Sequence, residues 1–111
     1  MTQEEKQLLL KDLCSRLPYG VKFQGEDSNV YTLDAANYFA LQVEDVVFKP
    51  YLRPMSSMTE EERQDFAHYV AHGNNSVALD FVDWCNAHHF DHRGLIEKGL
   101  ALEAPKDMYK N

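Results

Sequence analysis

The stretch from Leu79 to Leu102 constrains the fold more than any other, because it carries the only tryptophan, three of the five histidines and the clearest stop signals. Its first half reads as a helix. Ser76 is placed as the N-cap, its hydroxyl oxygen accepting from a backbone N–H that the first turn leaves without a partner. Val77, Phe81, Trp84 with Cys85, and His88 follow at spacings of three and four, which draws one apolar stripe. Asp80 and Asp83 fall toward the start, whereas His88, His89, His92 and Arg93 cluster at and past the end, an order that complements the helix dipole. Gly94 supplies the stop. A tryptophan on the inner face buries about 200 Å² and anchors the local core, so this helix must lie against something.

The rest of the chain offers a second helix and a sheet as partners. Thr2 opens a T-Q-E-E capping box with Glu5. The helix it starts carries Leu9, Leu10, Leu13, Cys14 and Leu17 on one side and ends at Pro18, since the residue before a proline is pushed out of helical geometry. Residues 21–24 alternate apolar and polar, GEDSN is turn chemistry, and Val30 to Leu33 is β-branched and aromatic. Residues 34–37 form the next turn. Residues 38–43 then read as a strand with Phe39, Leu41 and Val43 on one face, and 46–49 as a short fourth strand. Short strands joined by short turns predict an antiparallel meander covered by the first helix.

Beyond Pro50 an extended connector, Tyr51 to Met58, leads to a second capping box, Thr59 with Glu62. Phe66, Ala67 and Val70 make the buried stripe of the helix that follows, and Gly73 ends it. Residues 95–98 fit one helical turn, residues 100–103 an extended segment returning to the sheet or lying along a helix, and residues 106–111 a loose tail. The expectation is one α+β domain over residues 1–111: an N-terminal helix, an antiparallel meander of three to four strands, then two to three C-terminal helices.

Charge and cysteine usage narrow the function classes. With 18 acidic and 11 basic residues the formal charge is −7, and no run of Lys or Arg makes the basic face that phosphate binding needs, so no nucleic acid is expected as partner. Cys14 and Cys85 form no CxxC pair and both fall on apolar helix faces, which predicts buried thiols in a reducing compartment. No basic start followed by an apolar run marks a signal peptide, and no apolar stretch approaches the roughly 18 residues of a membrane span. The expected address is the cytoplasm. No glycine-rich loop opens a helix after a strand, so no nucleotide cofactor is expected.

Three strings, LPYGVK, YLRPMSSMTEEE and HFDHRGLIEKGLALEAP, resemble a group of small uncharacterised proteins of gut bacteria, many encoded in prophage or other mobile elements. The resemblance covers most of the chain. It implies a bacterial cytoplasmic protein of phage or mobile-element origin, and it brings no activity with it.

Chemistry has few places to reside. His68 and His72 stand four apart on a helix, and with His88, His89, Asp91 or His92 they could make a zinc shell. The glutamate of HExxH is missing, and a histidine beside Gly73 equally suits a helix C-terminus. HHFDHR resembles the histidine-rich core of HNH-type nucleases, but its first histidines read as helical and the chain is acidic. Cys85 with His88 or His89 could form a thiolate pair, except that burial beside Trp84 makes a thiol inert. The connector is the remaining candidate. Tyr51, Arg53, Met55 and Met58 are the mixture found at adaptable protein interfaces, or else Leu52 and the methionines fill the seam between sheet and helices. Arg53 could pair with Glu60 or Glu61 at the rim. The leading expectation is a non-catalytic protein-binding module without cofactor or membrane; the alternative is a metal-dependent hydrolase built on His68, His72 and the His88 to His92 cluster.

Overall fold

The computed structural model describes residues 2–43, 48–71 and 75–109. Helix α1 (Gln3–Arg16) begins with the capping box expected: the Glu5 amide donates to Thr2 Oγ1 at 3.0 Å and the Thr2 amide donates to Glu5 Oε1 at 2.8 Å. A 3₁₀ turn over Leu17–Tyr19 absorbs Pro18, and Gly20 takes φ 67°, which reverses the chain into β1 (Lys22–Gln24). Strand β2 (Val30–Thr32) pairs antiparallel with β1 through Phe23 and Tyr31. Strand β3 (Lys49–Leu52) pairs antiparallel with the other side of β1, and β4 (Leu102–Glu103) lies parallel to β3 with Tyr51 opposite Leu102. The order β2-β1-β3-β4 is therefore a mixed sheet and not an antiparallel meander.

The main departure lies between β2 and β3. Residues 38–43 are not a strand but the second half of helix α2 (Ala35–Val43). Asp34 and Asn37 cap each other: the Asn37 amide donates to Asp34 Oδ1 and the Asp34 amide to Asn37 Oδ1, both at 2.8 Å. D-A-A-N is thus an N-terminal helix signal in which Asn takes the place of the usual Glu or Gln. On a helix Leu41 turns inward at 6% exposure, while Phe39 and Val43 face solvent at 64% and 65%. Of the expected fourth strand, residues 46–47 lie outside the described residues, and the strand itself forms over Lys49–Leu52.

Helices α3 (Glu60–Ala71) and α4 (Asn75–Ala87) follow a 3₁₀ turn at Met55–Ser57. Ser76 is the second residue of α4 and so lies inside the helix instead of capping it; His72 and Gly73 lie outside the described residues. The core joins Leu9 and Leu13 of α1 to Val21, Phe23, Leu33, Leu41, Phe48 and Leu52, and is closed by Leu95, Leu100 and Ala101. Trp84 belongs to a separate aromatic layer. It stacks on Phe81 and Phe90 and meets the His88 ring at a tilt, and Phe81 meets Phe66 of α3 edge-on.

Polar groups inside this frame are held by long-range contacts. Asp12 and Arg16, one turn apart on α1, are both fully buried and paired at 2.7 Å. Arg16 Nη2 also donates to the Phe90 carbonyl at 2.7 Å, and Arg93 donates to Asp12 at 3.0 Å. Buried charges persist only when paired and hydrogen-bonded in this way. Asp91 accepts from the amides of Leu95 and Ile96, which caps the turn at 94–99. Two expectations about single residues change here: Cys14 is exposed, and only Cys85 is buried. Nor is the tail loose as far as Tyr109, whose hydroxyl donates to the Tyr51 carbonyl at 2.7 Å and accepts from the Lys22 amide at 2.8 Å.

Candidate binding cleft

The connector is less an extended bridge than a clamp. Arg53 continues β3 by one residue, pairing in parallel with Phe90: its amide donates to the His89 carbonyl and its carbonyl accepts from the Asp91 amide, both at 2.8 Å. Its guanidinium reaches neither Glu60 nor Glu61. It forks onto Glu62 instead, Nη1 to Oε2 at 2.8 Å and Nη2 to Oε1 at 2.7 Å, with the Arg53 side chain 22% and the Glu62 side chain 12% exposed. The same guanidinium covers the Phe90 ring at 4.2 Å. Glu62 meanwhile completes the second capping box, Oε1 accepting from the Thr59 amide at 2.8 Å. Bonds from Arg53 hold the Glu62 carboxyl well below its usual range, to about 2. A bidentate, partly dry pair of this kind is architecture, not a rim contact of little energy.

Beside this clamp the surface opens into a cleft of about 790 Å³. One wall is the start of α3 with Glu61, Glu62 and Asp65, and a second is the end of α4 with His88. The third is the end of β4 and the segment after it, where Glu103, Lys106, Asp107 and Tyr109 reach the opening. At its side, His89 adopts φ 64°, a left-handed conformation that aims its ring onto Tyr109, with centroids 3.8 Å apart and planes within 15°. Burial, followed by the charge of Arg16, pushes the His89 imidazole down to about 4, so it stays neutral. Burial likewise raises the Tyr109 hydroxyl to about 12 and the Cys85 thiol to about 11. A neutral stacked imidazole and an un-ionised phenol give the cleft a flat aromatic flank.

Of the four connector residues named from the sequence, Arg53 borders this cleft. Tyr51 sits in β3 and offers its carbonyl to Tyr109; Met55 opens the 3₁₀ turn, Met58 follows it, and both are half-buried. The histidines diverge. His88 Nδ1 lies 3.2 Å from Glu62, His92 Nε2 lies 2.9 Å from the Asn86 side-chain oxygen, and His89 faces Tyr109. His68 is exposed on α3, and His72 lies outside the described residues. Among the described residues no group of three or more His, Cys, Asp or Glu side chains is arranged to hold a metal ion. Cys85 and His88 share a helix, but the thiol is fully buried and far above its ordinary pKa, the opposite of an activated nucleophile.

Tyr109, Glu103 and Asp107 were not singled out by sequence reasoning. Their only signal is a tyrosine inside a polar C-terminal run, which is weak. Among the described residues no helix is long and apolar enough to cross a membrane. No family model, curated protein or solved structure matches the chain.

Proposed function

We propose that this chain is a non-catalytic protein-binding module of the bacterial cytoplasm, of phage or mobile-element type, and that the cleft beside Arg53 receives an extended partner segment carrying cationic side chains. The supporting observation is the cleft's charge. Glu61, Asp65, Glu103 and Asp107 line it, Arg53 is already committed to Glu62, and among the described residues that line it Lys106 carries the one ammonium. Carboxylates ringing a concave surface focus a negative potential that attracts and orients a basic partner. The stacked pair His89 and Tyr109 adds a face against which an apolar or guanidinium group can pack. Recognition here calls for no proton transfer and no nucleophile.

Capture of companions from a bacterial host tests the reading. Tagged wild-type chain is compared with Glu103→Lys/Asp107→Lys, both exposed positions outside the core, with unfolding by denaturant as the check that the variant is folded. A near-stoichiometric companion that the untagged chain competes off and the charge reversal loses supports the cleft. A companion held equally by both forms moves the site elsewhere, and no specific companion across growth conditions defeats the proposal.

A further inference from the structure

Tyr109 sits where the sheet forks. The pairing of β1 with β3 runs from Gln24 opposite Lys49 to Phe23 opposite Pro50, and the same register brings Lys22 opposite Tyr51 next. At that rung the phenol of Tyr109 stands where a backbone bond would: its oxygen accepts from the Lys22 amide at 2.8 Å and its proton goes to the Tyr51 carbonyl at 2.7 Å. Backbone groups alternate in direction along a strand. Leu52 turns its carbonyl to the Ala104 amide, so Tyr51 and Arg53 turn theirs to the opposite edge, where Arg53 takes Phe90 as its neighbour. Strand β1 and the segment through Phe90 therefore flank the same edge of β3, and Tyr109 fills the notch between them. His89, at φ 64°, walls the notch, its ring centroid 3.8 Å from that of Tyr109 and the two planes within 15°.

One donor, one acceptor and a flat neutral ring are what a para-substituted phenol binds, and all three come from outside the segment that delivers Tyr109. That segment, residues 104–109, reaches the notch as a strap. The Ala104 amide donates to the Leu52 carbonyl at 2.8 Å, the Met108 amide closes a turn on the Pro105 carbonyl at 3.0 Å, and residues 105–107 between them are exposed. Lys106 and Asp107 of the strap line the cleft. Burial lifts the Tyr109 hydroxyl to about 12, so the phenol keeps its proton, and with it the bond to Tyr51, at neutral pH. We propose that Lys22, Tyr51 and His89 form a socket for a phenol ring, filled in this fold by the chain's own Tyr109, and that this occupancy latches the third wall of the cleft in place. The socket stands on its own geometry, whereas the consequence for partner binding rests on the proposed role of the cleft. Tyr109 is then a positioning residue, holding the strap so that Asp107 lies at the opening that Glu61 and Asp65 share.

The probe is p-cresol, the tyrosine side chain without its backbone, added to the full chain. Tyr109→Ala empties the socket, and p-cresol at millimolar concentration should then shift the Lys22 amide saturably in amide NMR spectra. The control p-methylanisole has no proton for the Tyr51 carbonyl and should bind about tenfold more weakly, the factor that one net hydrogen bond carries. Wild type should respond far less than Tyr109→Ala, because its tethered ring has an effective concentration that free cresol must exceed. Trypsin cleavage after the exposed Lys106, followed by mass spectrometry, reads the latch separately. Tyr109→Phe keeps the ring but loses both hydrogen bonds, so its strap should be cut about tenfold faster than that of wild type. Tyr109→Ala should be cut faster still, and p-cresol should not slow it, since cresol refills the socket without tethering the strap. An unmoved Lys22 amide in folded Tyr109→Ala, or equal affinity for p-methylanisole, overturns the socket. Cleavage of Tyr109→Phe at the wild-type rate overturns the latch, and this arm decides the matter where Tyr109→Ala does not fold. Neither arm needs a partner, so failure of companion capture leaves both standing, and their failure leaves the cleft to be judged by Glu103→Lys/Asp107→Lys.

Discussion

Glu62→Gln is the sharpest test of the clamp, because glutamine keeps the shape and the capping acceptor but removes the charge that Arg53 grips. A carboxyl held at about 2 instead of 4.5 corresponds to at most about 3 kcal/mol of stability. Arg53 would not be stranded by the change, since it retains the Phe90 ring and the carbonyls of Ser57 and His88 at 3.3 and 3.4 Å. About 2 kcal/mol is therefore the expected loss at neutral pH, below the cost of isolating a fully buried charge. The pH dependence carries the mechanism. A carboxylate with a depressed folded pKa stabilises fully above its unfolded value, so the wild-type advantage should stand above about pH 5, shrink as pH falls through 4.5, and vanish near 2. Urea unfolding of both forms, followed by far-UV circular dichroism across that range, measures the gap directly. Glu62→Ala should cost about 1 kcal/mol more, because it also removes the capping acceptor for the Thr59 amide. A gap that does not change with pH, or a Glu62→Gln form as stable as wild type at pH 7, would refute the reasoning.

The histidine at the cleft predicts a separate window. His89 is neutral in the fold and binds a proton more readily once unfolded, so wild-type stability should already fall as pH drops from 6.5 toward 4, by at most about 3 kcal/mol. His89→Asn, which tolerates the left-handed backbone, should flatten that slope and leave the Glu62 window unchanged. Trp84→Ala should cost about 3 kcal/mol in denaturant unfolding, the lower end for such truncations because the indole is half-buried; an unchanged midpoint would mean that the aromatic layer is not cooperative with the core. Of the two cysteines, Cys14 should react promptly with a thiol reagent in the folded chain, whereas Cys85 should react only after unfolding, and equal rates would contradict the burial of Cys85.

Legibility in the sequence followed the range of the interaction. Both Thr–Glu capping boxes were readable because cap and partner are three residues apart, and both formed as expected. The Tyr109 anchor was not, because its partners are the backbones of Lys22 and Tyr51, and nothing in a polar C-terminal run announces them. Asp12 and Arg16 look, by spacing, like a solvent-exposed helix pair. They are buried because the Phe90 carbonyl and Arg93 arrive from the far end of the chain and add hydrogen bonds to the pair, although Arg16 Nη1 stays buried without a partner. The same distance effect misassigned Arg53. Glu60, Glu61 and Glu62 are equivalent by composition, but only Glu62, at the third position of α3, turns back toward the residue that β3 delivers beside Phe90.

The error at residues 38–43 has a different origin, and it bears on function. Alternation of Tyr38, Phe39, Leu41 and Val43 reads as a strand only on the assumption that every large apolar side chain must face one core. In α2 they divide. Tyr38 and Leu41 pack inward, and Phe39 and Val43 face outward, so the apolar period belongs to neither a buried strand nor an ordinary amphipathic helix. Folding alone gives no reason for this, since polar residues at 39 and 43 would restore an unambiguous helix without disturbing any core contact. Positions that defeat local consistency at no structural benefit are where a requirement other than stability is expressed. The two residues that spoil the helical pattern are the same two large apolar side chains of α2 that stand in solvent, so the misread period and the uncovered stripe have one physical cause.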